Sequence, residues 1–248
     1  MSEPSKRSTS SKTWLYRAAM LVALACTGCQ MASTSSNVAG VRAVQNGQPM
    51  VAVNQFQQAL ANDPTNADAL YNMAATYHEM AKTNNDQAML QQAEYLYNQC
   101  LDQDPNHTDC YRGLAVLLID TKQPDRAYKL MEGWAQRNPT SADPKVELAR
   151  LYQEFGDDQT ALAQLNQAVA IDANNARAWA ALGSLREKSG DYSQALANYQ
   201  RSLALNNFQD GVNTRVATLV RQGVQADTPL SPTGDTRIVQ NPNTTQRY

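Results

Sequence analysis

The sequence predicts an all-α fold of about five stacked helical hairpins and a closing helix. Three observations lead there. Ala93, Ala127, Ala161 and Ala195 stand 34 residues apart. Leu114, Leu148 and Leu182 keep the same step, each followed by a small residue: Ala115, Ala149 and Gly183. Asp63-Pro64, Asp104-Pro105 and Asn138-Pro139 punctuate the series, because the residue before a proline is pushed out of helical geometry. A period in this range belongs to helical hairpins that cannot bury an apolar face alone and so stack on their neighbours.

In chain order, residues 1–28 read as an address. Lys6, Arg7, Lys12 and Arg17 against the single acid Glu3 form a basic start, and Ala18–Ala25 is an apolar run. That run is far below the roughly 20 residues a spanning helix needs and fits a secretory signal peptide. Cys26-Thr27-Gly28-Cys29 follows, and residues 29–36 read as a short polar linker.

The repeat domain spans 37–224, with unit boundaries at 33–66, 67–107, 108–141, 142–175 and 176–209. The first unit keeps Gly40, Ala52, Phe56, Ala59 and Pro64, but its first helix is thin in apolar residues. The second carries Met73, Ala74, Tyr77, Ala93, Tyr97 and Pro105 in 41 residues, seven more than the period. The polar segment Lys82–Asp86 places that excess in a lengthened turn, since loops take insertions at small entropic cost. Tyr111, Leu114, Ala115, Ala127 and Pro139 mark the third unit; Leu148, Ala149, Tyr152, Ala161 and Ala168 mark the fourth. Val212, Val216, Leu219 and Val220 then follow at helical spacing up to Gly223, which predicts the solvating cap helix a terminal repeat needs. Residues 225–248, with Pro229, Pro232 and Pro242 among polar residues, hold too little apolar surface to order and read as a disordered tail.

The fifth unit carries the fullest signature: Trp179-x-x-Leu182-Gly183, then Ala195-x-x-x-Tyr199. This resembles the tetratricopeptide repeat (TPR), departing from it at Arg186, where the pattern has Tyr, and at Asn207, where it has Pro. The resemblance covers residues 33–209 and implies a right-handed superhelix whose groove, lined by first helices, holds a protein or peptide ligand. Carried onto this chain, the groove positions include Tyr71, His78, Arg112, Val116, Ile119, Val146, Arg150 and Arg177. The lysine and asparagine that clamp a carboxylate in some members are absent from those positions.

The N-terminus resembles a bacterial lipoprotein signal, in which an apolar stretch and small residues end at an acylated cysteine. Cys29 after Thr27-Gly28 fits best. Acylation at Cys26, or a plain secretory cut near Ala25, are the alternatives. The resemblance implies a lipid-anchored protein of the bacterial envelope, at the outer membrane facing the periplasm, because Gln30 rather than Asp follows the cysteine.

The chain holds 21 basic and 23 acidic side chains; without residues 1–28, which hold four and one of these, the balance is 17 to 22, a net of −5. A nucleic-acid binder would carry a basic footprint. Removal of residues 1–28 also leaves, beside the acylated Cys29, Cys100 and Cys110 as a pair across the turn Asp104-Pro105-Asn106. They read either as a disulfide, in range for antiparallel neighbours in an oxidising compartment, or as two small packed hydrophobes. His107 completes a Cys-x6-His-x2-Cys spacing that lacks a fourth ligand and matches no common structural zinc pattern, so the sequence assigns no metal, cofactor or catalytic residue. The expectation is a non-enzymatic interaction scaffold. The alternatives are a pilotin-like assembly factor for a pilus or secretin, or the recruiting subunit of an envelope enzyme complex.

Overall fold

A computed structural model describes residues 30–227. The signal peptide of 1–28, Cys26, Cys29 and the tail beyond residue 227 lie outside them. Among the described residues all regular structure is α-helix: α1 (30–45), α2 (Pro49–Asn62), α3 (Ala67–Asn84), α4 (Gln87–Gln103), α5 (Thr108–Asp120), α6 (Pro124–Arg137), α7 (Asp143–Glu154), α8 (Asp158–Ile171), α9 (Ala176–Lys188), α10 (Tyr192–Leu205) and α11 (Asp210–Arg221). Paired in order, the first ten are the five hairpins, and α11 is the cap helix. None of the described helices is long and apolar enough to cross a membrane. The chain divides into two compact units, with the division after Ala127, inside α6.

Local chemistry sets the helix starts. Asn66, His107 and Asn175 cap α3, α5 and α9, each accepting from the backbone N–H three residues on. Asp86, Asp157 and Asp191 do the same for α4, α8 and α10. Each cap satisfies one of the N–H groups a helix start leaves unpaired. The turns inside three hairpins need a left-handed residue, and Lys122, Gly156 and Gly190 supply it at φ +62°, +80° and +83°. These three also stand 34 residues apart, and the lysine holds a conformation that glycine adopts without a β-carbon penalty.

Two boundaries differ from the sequence reading. Of the segment read as a linker, residues 30–36 are helical, because α1 runs from residue 30. Its polar residues are tied into the unit: Asn66 Nδ2 donates to Ser33 Oγ at 2.9 Å, and Ser33 is buried. The extra residues of the second hairpin do not lengthen its turn either. They lengthen its helices, to 18 residues in α3 and 17 in α4. Lys82, Thr83 and Asn84 are tolerated in a helix, and Asn85, left-handed at φ 53°, ends it.

The repeated small residues are the helix contacts. Ala93, Ala115, Ala127, Ala149, Ala161 and Ala195 are all fully buried. In the first unit Phe56, Tyr97 and Leu117 fill the space between helices; in the second, Val146, Leu165, Val169 and Trp179 belong to one core cluster. Leu219 of α11, with Val212 and Val216, packs on Ala195, Leu196 and Tyr199, which covers the last hairpin. Tyr199 lies against Gly183 of its own hairpin, whereas its counterpart Tyr97 lies against Gly113 of the next.

Candidate functional site

The first unit holds an open, largely apolar cavity of about 470 Å³ between α1, α2 and α3. Its walls include Val41 and Val44 of α1, Phe56 of α2, and Tyr71, Ala75 and Met80 of α3. The Asn66 cap fixes the start of α3, and the spacing of four then places Tyr71, Ala75 and Glu79 on one face. Tyr71 is half-buried, and its phenol is pushed above the ordinary tyrosine value, chiefly by burial and then by the Asp109 carboxylate, with Arg112 opposing. Val44 on the rim stays 46% exposed. Apolar walls with a few polar groups at the edge are the usual make-up of a ligand site.

Of the groove positions named from sequence, Tyr71 lines this cavity. His78 is not among the residues that line it. It is buried, its Nε2 lies 3.1 Å from Asp120 Oδ2, and its ring meets the edge of Tyr97 at 6.5 Å. Burial holds its pKa below the ordinary histidine value, against the pull of Asp120. Val116 and Ile119 are half-buried on α5. Val146 is 7% exposed and belongs to the core of the second unit, so it is closed off from solvent.

The arginines are engaged within the chain. Arg112 donates to Asp109 at 2.7 Å. Arg150 and Arg177 converge on Glu147, whose side chain is 1% exposed: Arg150 Nε donates to Oε2 at 3.3 Å, and Arg177 Nη2 donates to Oε1. Arg177 also reaches Asp143 at 3.4 Å. A buried charge needs such partners. The guanidinium groups at these groove positions therefore hold carboxylates of the chain's own. Sequence alone does not single out Glu147. It sits beside Leu148 and Ala149 in the repeat signature, and nothing in the spacing shows that it turns inward.

Cys100 and Cys110 meet across the α4–α5 turn as a disulfide, with Cα atoms 6.5 Å apart. His107 stands between them: Nδ1 accepts from the Cys110 N–H at 3.2 Å, and Nε2 lies 3.1 Å from Asp68 Oδ1. In the second unit Tyr128, Tyr152 and Phe155 form an aromatic group with ring centroids 5.2 and 5.6 Å apart. Burial raises the pKa of both phenols above the ordinary value.

Family models described as tetratricopeptide repeat match residues 55–93, 84–136, 122–185 and 176–208. A thermophilic TPR protein of Thermus thermophilus is similar in structure, with a TM-score of 0.57 and 21% identity over 77% of this chain and 100% of that one. PilF of Pseudomonas aeruginosa superposes with a TM-score of 0.50 at 18% identity, covering 79% of this chain and 91% of that one. Among curated relatives, the mouse protein O-mannosyl-transferase TMTC1 is 28% identical over 121 residues, which are 46% of this chain and 12% of the relative. The chain thus spans only a small part of that enzyme, and the structural likenesses show the fold alone. The matched repeats run without a break from residue 55 to residue 208, and the chain belongs to the tetratricopeptide-repeat family.

Proposed function

We propose that this protein is a non-enzymatic scaffold that takes a segment of a partner protein into the cavity between α1, α2 and α3. The observation that supports this reading is the cavity itself. It leaves Val44 and the faces of Tyr71, Ala75 and Met80 open to a ligand, beside the buried ring of Phe56. With Arg112, Arg150 and Arg177 engaged within the chain, the ligand is held through apolar side chains rather than through a carboxylate. Charge at the rim, such as Glu79, sets orientation more than affinity.

Peptides selected by display on the wild-type protein test this. Ala75→Glu places a charge on the cavity wall and is expected to weaken the selected peptides at least tenfold, while Val116→Ala on α5 leaves them unchanged. Circular dichroism should show the same helix content in both variants. Selected peptides that bind Ala75→Glu as tightly as wild type would show that the cavity is not the site.

The second part of the proposal is an envelope location through a lipid on Cys29. It rests on the basic start, short apolar run and Thr27-Gly28-Cys29 of the sequence. One acyl chain binds a membrane only marginally, so firm attachment calls for more than one chain on the cysteine. Cys29→Ser is expected to move the protein from the membrane fraction to the soluble fraction. Release by Cys26→Ser alone would transfer the anchor to that residue, and retention of the double variant would end the lipid proposal.

A further inference from the structure

We propose that the turn joining α4 to α5 is a redox-gated metal site. With the Cys100–Cys110 bond reduced, the two thiolates and the His107 imidazole bind one Zn²⁺. The ligand atoms of Cys100, His107 and Cys110 already lie within 4.8 Å of one another. Both cysteines are fully buried, and the His107 side chain is 11% exposed. The helices that carry them hold the Cα atoms of Cys100 and Cys110 at 6.5 Å, which brings both side chains to one point.

The equivalent caps of α3 and α9 are asparagines, Asn66 and Asn175, which also reach a second partner, Ser33 and Asp143. At α5 an imidazole does the same work, and unlike an amide it offers a metal-ligating nitrogen. Because Nδ1 accepts from the Cys110 N–H, the ring proton sits on Nε2 and is donated to Asp68 Oδ1. Nδ1 therefore presents its lone pair on the side of Cys110. A carboxylate that holds the far nitrogen of a histidine fixes the tautomer and orients the ring, as it does around metal ligands. The cation takes Nδ1 in place of the Cys110 N–H and leaves the Asp68 contact intact.

The thiols are suited as well. Cys110 lies in the first turn of α5, where unpaired backbone N–H groups and the helix dipole favour a thiolate. Sulfur ligands exclude hard cations such as Mg²⁺ and Ca²⁺. Two thiolates and a neutral imidazole are neutralised by a divalent ion, whereas a monovalent one would leave a net charge beside buried sulfur. Tetrahedral zinc with three protein ligands takes water as the fourth, and the exposed turn at Asp104, Pro105 and Asn106 gives it access.

The exchange balances with a dithiol as reductant. The dithiol gives two electrons to the Cys100–Cys110 bond and becomes a disulfide. The two protein sulfurs bind Zn²⁺, and two protons are released. Oxidation of the zinc form by a disulfide runs the same steps backwards and expels the ion.

The test uses the full chain carrying Cys26→Ser and Cys29→Ser, so that Cys100 and Cys110 are its only thiols. Reduced and freed of dithiol without air, it is titrated with Co²⁺ as an optical probe and with Zn²⁺ against a chromophoric chelator. The reduced protein is expected to bind one equivalent of either ion and to show thiolate-to-cobalt charge transfer. The oxidised protein is expected to bind none. His107→Asn keeps the cap and removes the ligand, and should lower zinc affinity at least tenfold with helix content unchanged. Asp68→Asn should lower it by roughly ten- to a hundredfold. No charge-transfer band in the reduced protein, or an affinity untouched by His107→Asn, would overturn the proposal.

Discussion

Replacing Arg150 and Arg177 together by alanine is expected to destabilise the second unit by on the order of 3 kcal/mol, the low end of the cost of stripping a buried charge of its partners. The carboxylate of Glu147 is enclosed at 1% exposure, and each of its oxygens is met by a different guanidinium. The low end applies because the arginines themselves are 35% and 46% exposed, so water can replace part of what they give. Arg177→Ala should be the more damaging single change. Arg150 already carries a buried Nη2 with no acceptor among the described residues, and its removal relieves that group. Glu147→Gln introduced into the double variant should restore most of the loss by removing the charge. Urea unfolding followed by helix signal measures all four proteins. A double variant within about 0.5 kcal/mol of wild type, the range of an ordinary surface change, would show that the carboxylate does not depend on these arginines.

A second large effect is expected where two helices touch at a glycine. A β-carbon added to Gly183 would meet the Tyr199 ring at 2.5 Å. That ring is 3% exposed and tethered by its hydroxyl, which donates to Glu187 at 2.9 Å, so it cannot swing away cheaply. Gly183→Val should therefore cost about 3 kcal/mol, at the upper end of overpacking penalties, and should loosen α9 from α10. Gly133→Ala is the contrasting change. It too lies inside a helix, but its new β-carbon would meet only the mobile end of Arg137, at 3.2 Å. There the helix preference for alanine decides the sign, and a gain of about 0.5–1 kcal/mol is expected. Thermal unfolding of the two variants should move in opposite directions. A shift in the same direction for both would show that the Tyr199 contact does not set the cost at Gly183.

How much of this is legible in the sequence depends on what each feature needs. Helix-to-helix contacts need small residues at a fixed phase, so Ala93, Ala127, Ala161, Ala195 and Gly183 announce the hairpins, and the apolar spacing of Val212, Val216 and Leu219 announces the cap helix. The cavity needs something else. One of its walls is α1, whose few valines are sparse for a complete helix, and hydrogen bonds from Asn66 to Ser33 and from Asn72 to Asn37 tie that helix in place. Such pairings between residues more than 30 apart leave no periodic trace. The placing of single groove residues meets a similar limit. Repeat position tells which face of a helix a residue occupies, but His78, Val146 and the two arginines are decided by neighbours: Asp120, the Trp179 cluster and Glu147. The seven extra residues of the second hairpin are visible as a count. Whether they extend turn or helix is settled by Asn85 at the end of α3.

Within each unit, helices touch their immediate neighbours in sequence and, more weakly, the next but one: α3 meets α4 and α5, and α7 meets α8 and α9. This bears on how the chain reaches its structure. The main helix pairings among the described residues join elements close in sequence, so little loop-closure entropy stands between the unfolded chain and its first stable hairpins. Chains with such local contacts fold in microseconds to milliseconds. A hairpin that opens by itself can also close against the neighbour that remains, without the rest of its unit having to unfold.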